Sequence, residues 1–368
     1  MGESLRRHHR VATLTARAVI GIVITCCSGS ARFVPVSAQT RLEVVGSIPG
    51  PAEHVRVQGT YAYVVAGPRL SIVDVNNPAL PKVRGSFTLP EPIYGVAVSG
   101  VAVYVANGVG GLAILDVSDP DAPRLLGSLK TRGVALRVAV AGTKAVVGDR
   151  TSGVEVIDVS NPAKPVLLGS HYTSGYVTDV AASGSLAYVI DASTDLSLID
   201  ISKSGPPDEV SVQESSHRTD IIATAPANSS TRAATLVCIS GGGLLQVYDV
   251  SDPSTARRVS THKIPERTAG QAKRAAGPQR SWTSVAGGLA FDGSLAYVAG
   301  GSEGLQIVDL SDPARPKMIA FHRTVGPARD VAAAGQLVFV VVGETGTAPQ
   351  ESNADARQAG VVVLRRVS

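Results

Sequence analysis

The chain is 368 residues long, 44% hydrophobic, with 34 Lys/Arg against 30 Asp/Glu. Its basic excess sits at the N-terminus: residues 1–38 hold five of the Lys/Arg and one acid, so residues 39–368 carry 29 of each and are formally neutral. Net charge therefore gives no reason to expect a nucleic-acid partner, and Cys238, alone beyond residue 38, excludes an intrachain disulfide there, so this region must hold itself by its core.

The first 38 residues read as a secretory signal. Arg6, Arg7, Arg10 and Arg17 lead into the apolar stretch "AVIGIVITCC", and "VSA" ends at Ala38 with the small residues that signal peptidase requires. About ten apolar residues is roughly half of what a bilayer crossing needs, so no membrane span is expected in a mature chain of residues 39–368. A lipoprotein route through Cys26 or Cys27 fits less well, because Thr25 and Cys26 stand where a small residue should precede the cysteine. The expected location is secreted, periplasmic or at the cell surface.

Strand-like segments follow. "LEVVGSI" at Leu42–Ile48 comes first and precedes any complete unit. A repeated line then closes on Asp74, Asp116, Asp158, Asp200, Asp249 and Asp309, at intervals of 42, 42, 42, 49 and 60 residues. Each unit also repeats an upstream phrase, such as "YAYVVA" at Tyr61 and "LAYVAG" at Leu295, just after a Gly or Ser turn. The second unit resolves into four segments: Ile93–Val98, Val101–Ala106, Leu112–Val117 and Arg124–Leu129. Runs rich in Val, Ile, Leu and Tyr, separated by Gly, Pro, Asn and Asp and lacking long helical periodicity, indicate strands throughout.

Four short strands in about 42 residues predict a β-propeller blade. The third segment, "LAILDV", scarcely alternates, as it should if each sheet is packed between two others. In "DVSDPDAP" the Asp116, Ser118, Asp119 and Pro120 side chains supply turn chemistry, which assigns the repeated aspartates to structure ahead of ligand binding. A seventh unit begins at Asp330–Ala333, continues through Gln336–Val342 and Gly360–Val367, and has no fourth strand; the orphan Leu42–Ile48 supplies one. The expected fold is therefore all-β, a seven-bladed β-propeller of four-stranded antiparallel blades with the last blade closed by the N-terminal strand.

The stretch "YGVAVSGVAVYVANGVGGLAILDVSDPDAPRLLGS" from Tyr94, and less fully "RDVAAAGQLVFVVV" from Arg329, resembles the LVIVD repeat family, whose consensus reads DVAVSG-x-x-AYVA, then GL-x-I-x-DVS-(D/N)-P-x-x-P-x-x-x-G. The resemblance implies a propeller in a surface or extracytoplasmic setting. It implies little about chemistry, because the shared residues are strand and turn residues.

Two insertions share one face of the expected ring: "KIPERTAGQAKRAAGPQRSW" between blades 5 and 6, and "GETGTAPQESNADARQAG" within blade 7. They read as solvated loops or as part of a binding surface. Aligned first strands place His54, Gly95, Arg137, Asp179, Asp220, Gly288 and Asp330 around the channel mouth on that same face. There His54, Arg137, Asp179, Asp220, Asp330 and the nearby Trp282 would hold a polar ligand, with a divalent cation possible and no cofactor required. The structural reading has each Asp accept backbone N–H bonds from the neighbouring blade, with Arg137 as counter-charge. Tyr94 and Tyr176 belong to the same rim.

No nucleophile–His–acid set, phosphate loop or paired cysteine is tied together by spacing. His171, His262 and His322 fall at the ends of outer strands in different blades, too far apart to share a metal, and Cys238 in "ATLVCIS" reads as a core thiol. Two functions stay open. The first is a non-catalytic scaffold presenting its loop-bearing face to an extracytoplasmic protein or glycan. The second is a hydrolase or lyase with its site, possibly cation-dependent, at the channel mouth.

Overall fold

In a computed structural model of the chain, residues 40–150, 153–193, 196–213, 220–224, 236–264, 288–343 and 360–367 are described. The segment read as an export signal, Trp282 and most of both long insertions lie outside these residues. Seven separate four-stranded sheets, each antiparallel throughout, form the blades of a propeller. Blades 1 to 6 are consecutive in sequence, spanning residues 54–88, 95–129, 135–171, 177–213, 221–263 and 289–322. Blade 7 takes three strands from Ala328–Ala334, Leu337–Val342 and Gly360–Val367, and its fourth from Arg41–Pro49. The orphan "LEVVGSI" is that fourth strand, with Leu42 opposite Arg366 and Ile48 opposite Val361.

Each first strand touches the first strand of both neighbouring blades, which closes a ring of seven around a central channel. Seven apolar clusters lie between adjacent blades. One joins Val73 and Ala62 of blade 1 to Phe339 and Val363 of blade 7, and another joins Ile114 of blade 2 to Val147 and Ile157 of blade 3. This explains why the third strands are apolar on both faces: each sheet is covered twice, and Leu112, Ala113, Ile114 and Leu115 are all buried.

The recurring line does two jobs in the packing. Its Asp accepts a bond from the backbone N–H two residues on in all six units, from Asn76 (2.9 Å) in blade 1 to Ser311 (2.9 Å) in blade 6. The turn so formed then leans on the preceding blade. Every fourth strand carries a one-residue bulge, and the residue after the bulge is Gly46, Gly85, Gly127 or Gly169 in four of the blades. A Cβ added to Gly127 would lie 2.5 Å from the carbonyl oxygen of Pro162 in the turn of blade 3, and Gly46 stands in the same relation to Pro78 across the ring closure. Where Ser replaces this Gly, its hydroxyl donates to the same carbonyl: Ser211 to Pro253 (2.7 Å) and Ser260 to Pro313 (2.6 Å).

The first strand of blade 2 starts at Gly95, two residues later than its apolar run suggests. Ile93 is buried, but its N–H donates to the carbonyl of Gly67 in blade 1 (2.9 Å), so it is spent on docking between blades. Cys238 lies in the second strand of blade 5 with no exposed surface, and burial pushes its thiol well up from the ordinary value.

Candidate functional site at the channel mouth

Antiparallel order puts the turns from fourth to first strand, and from second to third strand, on one face of the ring. The aligned polar column stands where the first strands leave that face. Three of its members sit immediately after a bulge: Arg137 in blade 3, Asp179 in blade 4 and Asp330 in blade 7. A bulge re-aims the side chains beside it, and here it does so at the start of strands that line the channel. His54 and Gly95 lie in regular pairing opposite Val65 and Ala106, while Asp220 and Gly288 stand one residue ahead of their strands.

The two glycines of the column are explained by their neighbours. A Cβ on Gly95 would lie 2.9 Å from the Leu136 carbonyl and against Arg137, and one on Gly288 would collide with Asp330. The backbone of the next blade's first strand, joined at Gly288 by the Asp330 carboxylate, occupies the space that a side chain would need.

Asp330 fastens the ring closure. One carboxylate oxygen accepts from the Val55 N–H of blade 1 (3.1 Å) and from Arg56 Nη1 (2.8 Å), and lies 3.4 Å from His54 Nδ1; the other accepts from its neighbour Val331 (2.9 Å). Its side chain is 7% exposed. Burial pushes the carboxyl upward, but Arg56, His54 and the Val55 N–H outweigh that and hold it at about 2. Asp179 makes the equivalent tie from blade 4 to blade 5, accepting from the Ile222 N–H (3.1 Å), with Arg137 Nε at 3.4 Å. Here burial wins, and the carboxyl lies above its ordinary value despite Arg137 and two N–H groups. Arg137 also donates from Nη1 to the carbonyls of Tyr94 and Leu136, both at 2.9 Å, linking blades 2 and 3.

These residues line a cavity of about 520 Å³, together with Arg56, Tyr94 and Arg329. The structure therefore brings His54 together with Asp330, and Arg137 with Asp179. Asp220 lies just ahead of the lining residue Ile221 and has a partner of its own. Trp282 falls outside the described residues. Among those described, no group of three or more His, Cys, Asp and Glu side chains is placed to hold a metal ion. Asp179 and Asp330 stand in separate Arg-bearing ties, whereas a cation needs several carboxylates converging on one point.

Two charged lining residues, Arg56 and Arg329, fall outside the aligned first-strand column. Arg56 lies two positions beyond His54 on the same face of the strand, so period-two alternation marks it. Arg329 is the extra residue of the blade 7 bulge, and an alignment that assumes regular alternation turns it away from the channel. Tyr176, also on the rim, is partly exposed.

The LVIVD repeat matches residues 49–88, 94–131, 132–173, 174–212 and 285–324, together more than half of the chain. The chain belongs to the LVIVD repeat family. The five matched segments of this LVIVD protein correspond to blades 1, 2, 3, 4 and 6. No curated protein matches it. Among solved structures, it resembles the computationally designed Ika8 protein at 11% identity with a TM-score of 0.59, over 88% of this chain and 98% of that one. It also resembles a chain from a crystal structure of the mitotic checkpoint complex, at 12% identity and a TM-score of 0.63, over 94% of this chain and 98% of that one. At these identities the likeness is one of fold alone.

Proposed function

We propose that this LVIVD protein is an exported, non-catalytic binding propeller that presents its channel-mouth face to a protein or glycan outside the cytoplasm. The observation that carries this reading is the aromatic pair Tyr172 and Tyr176. Both are exposed, at 64% and 39%, in the fourth-to-first turn between blades 3 and 4. Arg132, in the preceding turn on that face, donates to the Tyr172 hydroxyl (3.1 Å) and steadies it. Exposed tyrosine beside arginine is the composition of binding hot spots, because a rigid ring buries much area at little entropic cost. The arginine-rich leader and the "VSA" site support export. No helix among the described residues is long and apolar enough to cross a membrane.

The test is capture from the envelope fraction of the source organism. A partner retained by the wild type and by Met318→Ala on an outer strand, but lost with the double variant Tyr172→Ala/Tyr176→Ala, supports the reading; equal capture by all three refutes it. N-terminal sequencing of the exported product should begin near Gln39. The raised carboxyl of Asp179 favours a second reading, a hydrolase or lyase at the channel mouth. An activity on sugar or lactone substrates that is abolished by Asp179→Asn would establish it.

A further inference from the structure

The channel mouth carries more guanidinium than its own carboxylates neutralise. The described lining residues include three arginines, Arg56, Arg137 and Arg329, and two carboxylates, Asp179 and Asp330. Asp330 is taken by Arg56 and Asp179 is flanked by Arg137, which leaves Arg329 over. Arg329 makes no hydrogen bond or ion pair among the described residues, although it is partly buried. A guanidinium presents five N–H donors in a rigid fork. Arg56 and Arg137, also in the lining, make hydrogen bonds to the protein only from Nη1, and Arg137 Nε lies 3.4 Å from Asp179, so each keeps further donors.

The position of Arg329 is built. It occupies the bulge of the blade 7 first strand, which leaves it outside the ladder pairing. Its guanidinium lies over Gly343, where any Cβ would collide with Nε. A partly desolvated cation without a counter-ion is unfavourable unless something anionic completes it. The surrounding cavity of about 520 Å³ is the size of a small-molecule site, and the Tyr94 ring on its rim offers an apolar contact for the body of a ligand.

We infer that the channel mouth is a receptor site for a compact oxyanion, a carboxylate or phosphate group, held by Arg329 with the free donors of Arg56 and Arg137. The inference deepens the binding reading proposed above by naming the chemistry the face recognises. The ligand charge would lie among three guanidiniums in a concave, partly water-excluded site, where charge-assisted bonds are strongest.

Titration calorimetry of the purified protein with inorganic phosphate, glucuronate and glucose tests it. The expected result is saturable one-to-one binding of phosphate, glucuronate or both, weakening as NaCl is raised, and none for glucose. Binding of only one of them identifies the oxyanion as phosphate or carboxylate. Arg329→Gln should weaken binding about tenfold or more, Arg329→Lys should fall between, and Arg124→Gln on an outer strand should match the wild type. Thermal melts of each variant establish that it is folded. The inference is overturned if neither oxyanion binds, if glucose binds equally, or if folded Arg329→Gln and Arg329→Lys both titrate like the wild type. The variant Tyr172→Ala/Tyr176→Ala separates the two proposals: it should lose partner capture and keep the oxyanion titration, so either can fail alone.

Discussion

Replacing Asp330 with Asn and following stability with pH tests the electrostatic part of the ring closure. Asn keeps one oxygen to accept from Val55 N–H (3.1 Å), loses the second acceptor that serves Val331 N–H (2.9 Å), and removes the charge that faces Arg56 Nη1 at 2.8 Å and His54 at 3.4 Å. The fold holds the Asp330 carboxyl at about 2 against an ordinary 3.8. At about 1.4 kcal/mol for each tenfold change in proton affinity, the charged form contributes about 2 kcal/mol to stability at neutral pH. The folded value is the lower one, so this contribution is complete above the unfolded value and disappears as pH falls through the folded value; roughly half is gone by pH 3. Denaturant unfolding of wild type and Asp330→Asn at pH 7 and pH 3 reads this contribution, with an expected gap of at least about 2 kcal/mol at pH 7 that narrows by about 1 kcal/mol at pH 3. A variant as stable as the wild type at pH 7, or a gap that does not narrow with acid, would refute the argument that an Arg-paired carboxylate fastens blade 7 to blade 1.

Asp179→Asn should behave in the opposite way. Its folded carboxyl is raised by burial, so the charge costs stability at neutral pH, and that cost is relieved as pH falls through the raised value; the variant should be at least as stable as the wild type at pH 7 in the same assay, with its advantage shrinking in acid. Deleting residues 39–49 removes the strand that pairs with Gly360–Val367 and leaves an exposed edge. Thermal melts should show a loss of about 3 kcal/mol or more, and a truncation that melts like the parent would exclude closure by this strand. Gly127→Ala brings a Cβ to 2.5 Å from the Pro162 carbonyl and should cost about 1–3 kcal/mol in denaturant unfolding. Gly127→Ser should recover part of that, because Ser211 and Ser260 donate to the equivalent carbonyls in other blades.

Strand periodicity, the 42-residue interval and the orphan "LEVVGSI" together determine the blade, the count of seven and the way the ring closes. They can do so because a blade is a local unit: its strands are consecutive, its turns are set by Asp and Pro side chains bonding backbone two residues away, and a hydrophobic third strand announces burial on both faces. The column of first-strand polar residues is legible for the same reason, since equivalent positions in a repeat occupy equivalent places around an axis. What each member of that column touches was decided only by the tertiary structure. A bulge adds one residue and leaves no mark in a hydrophobic pattern, so alignment places Asp330 at the channel but omits Arg329. Whether a carboxylate is raised, as Asp179 is, or lowered, as Asp330 is, depends on the balance between burial and the cations packed against it. The Arg56 guanidinium and the His54 ring reach Asp330 from the far end of the chain, and residues some 270 positions apart are made neighbours only by closing the ring.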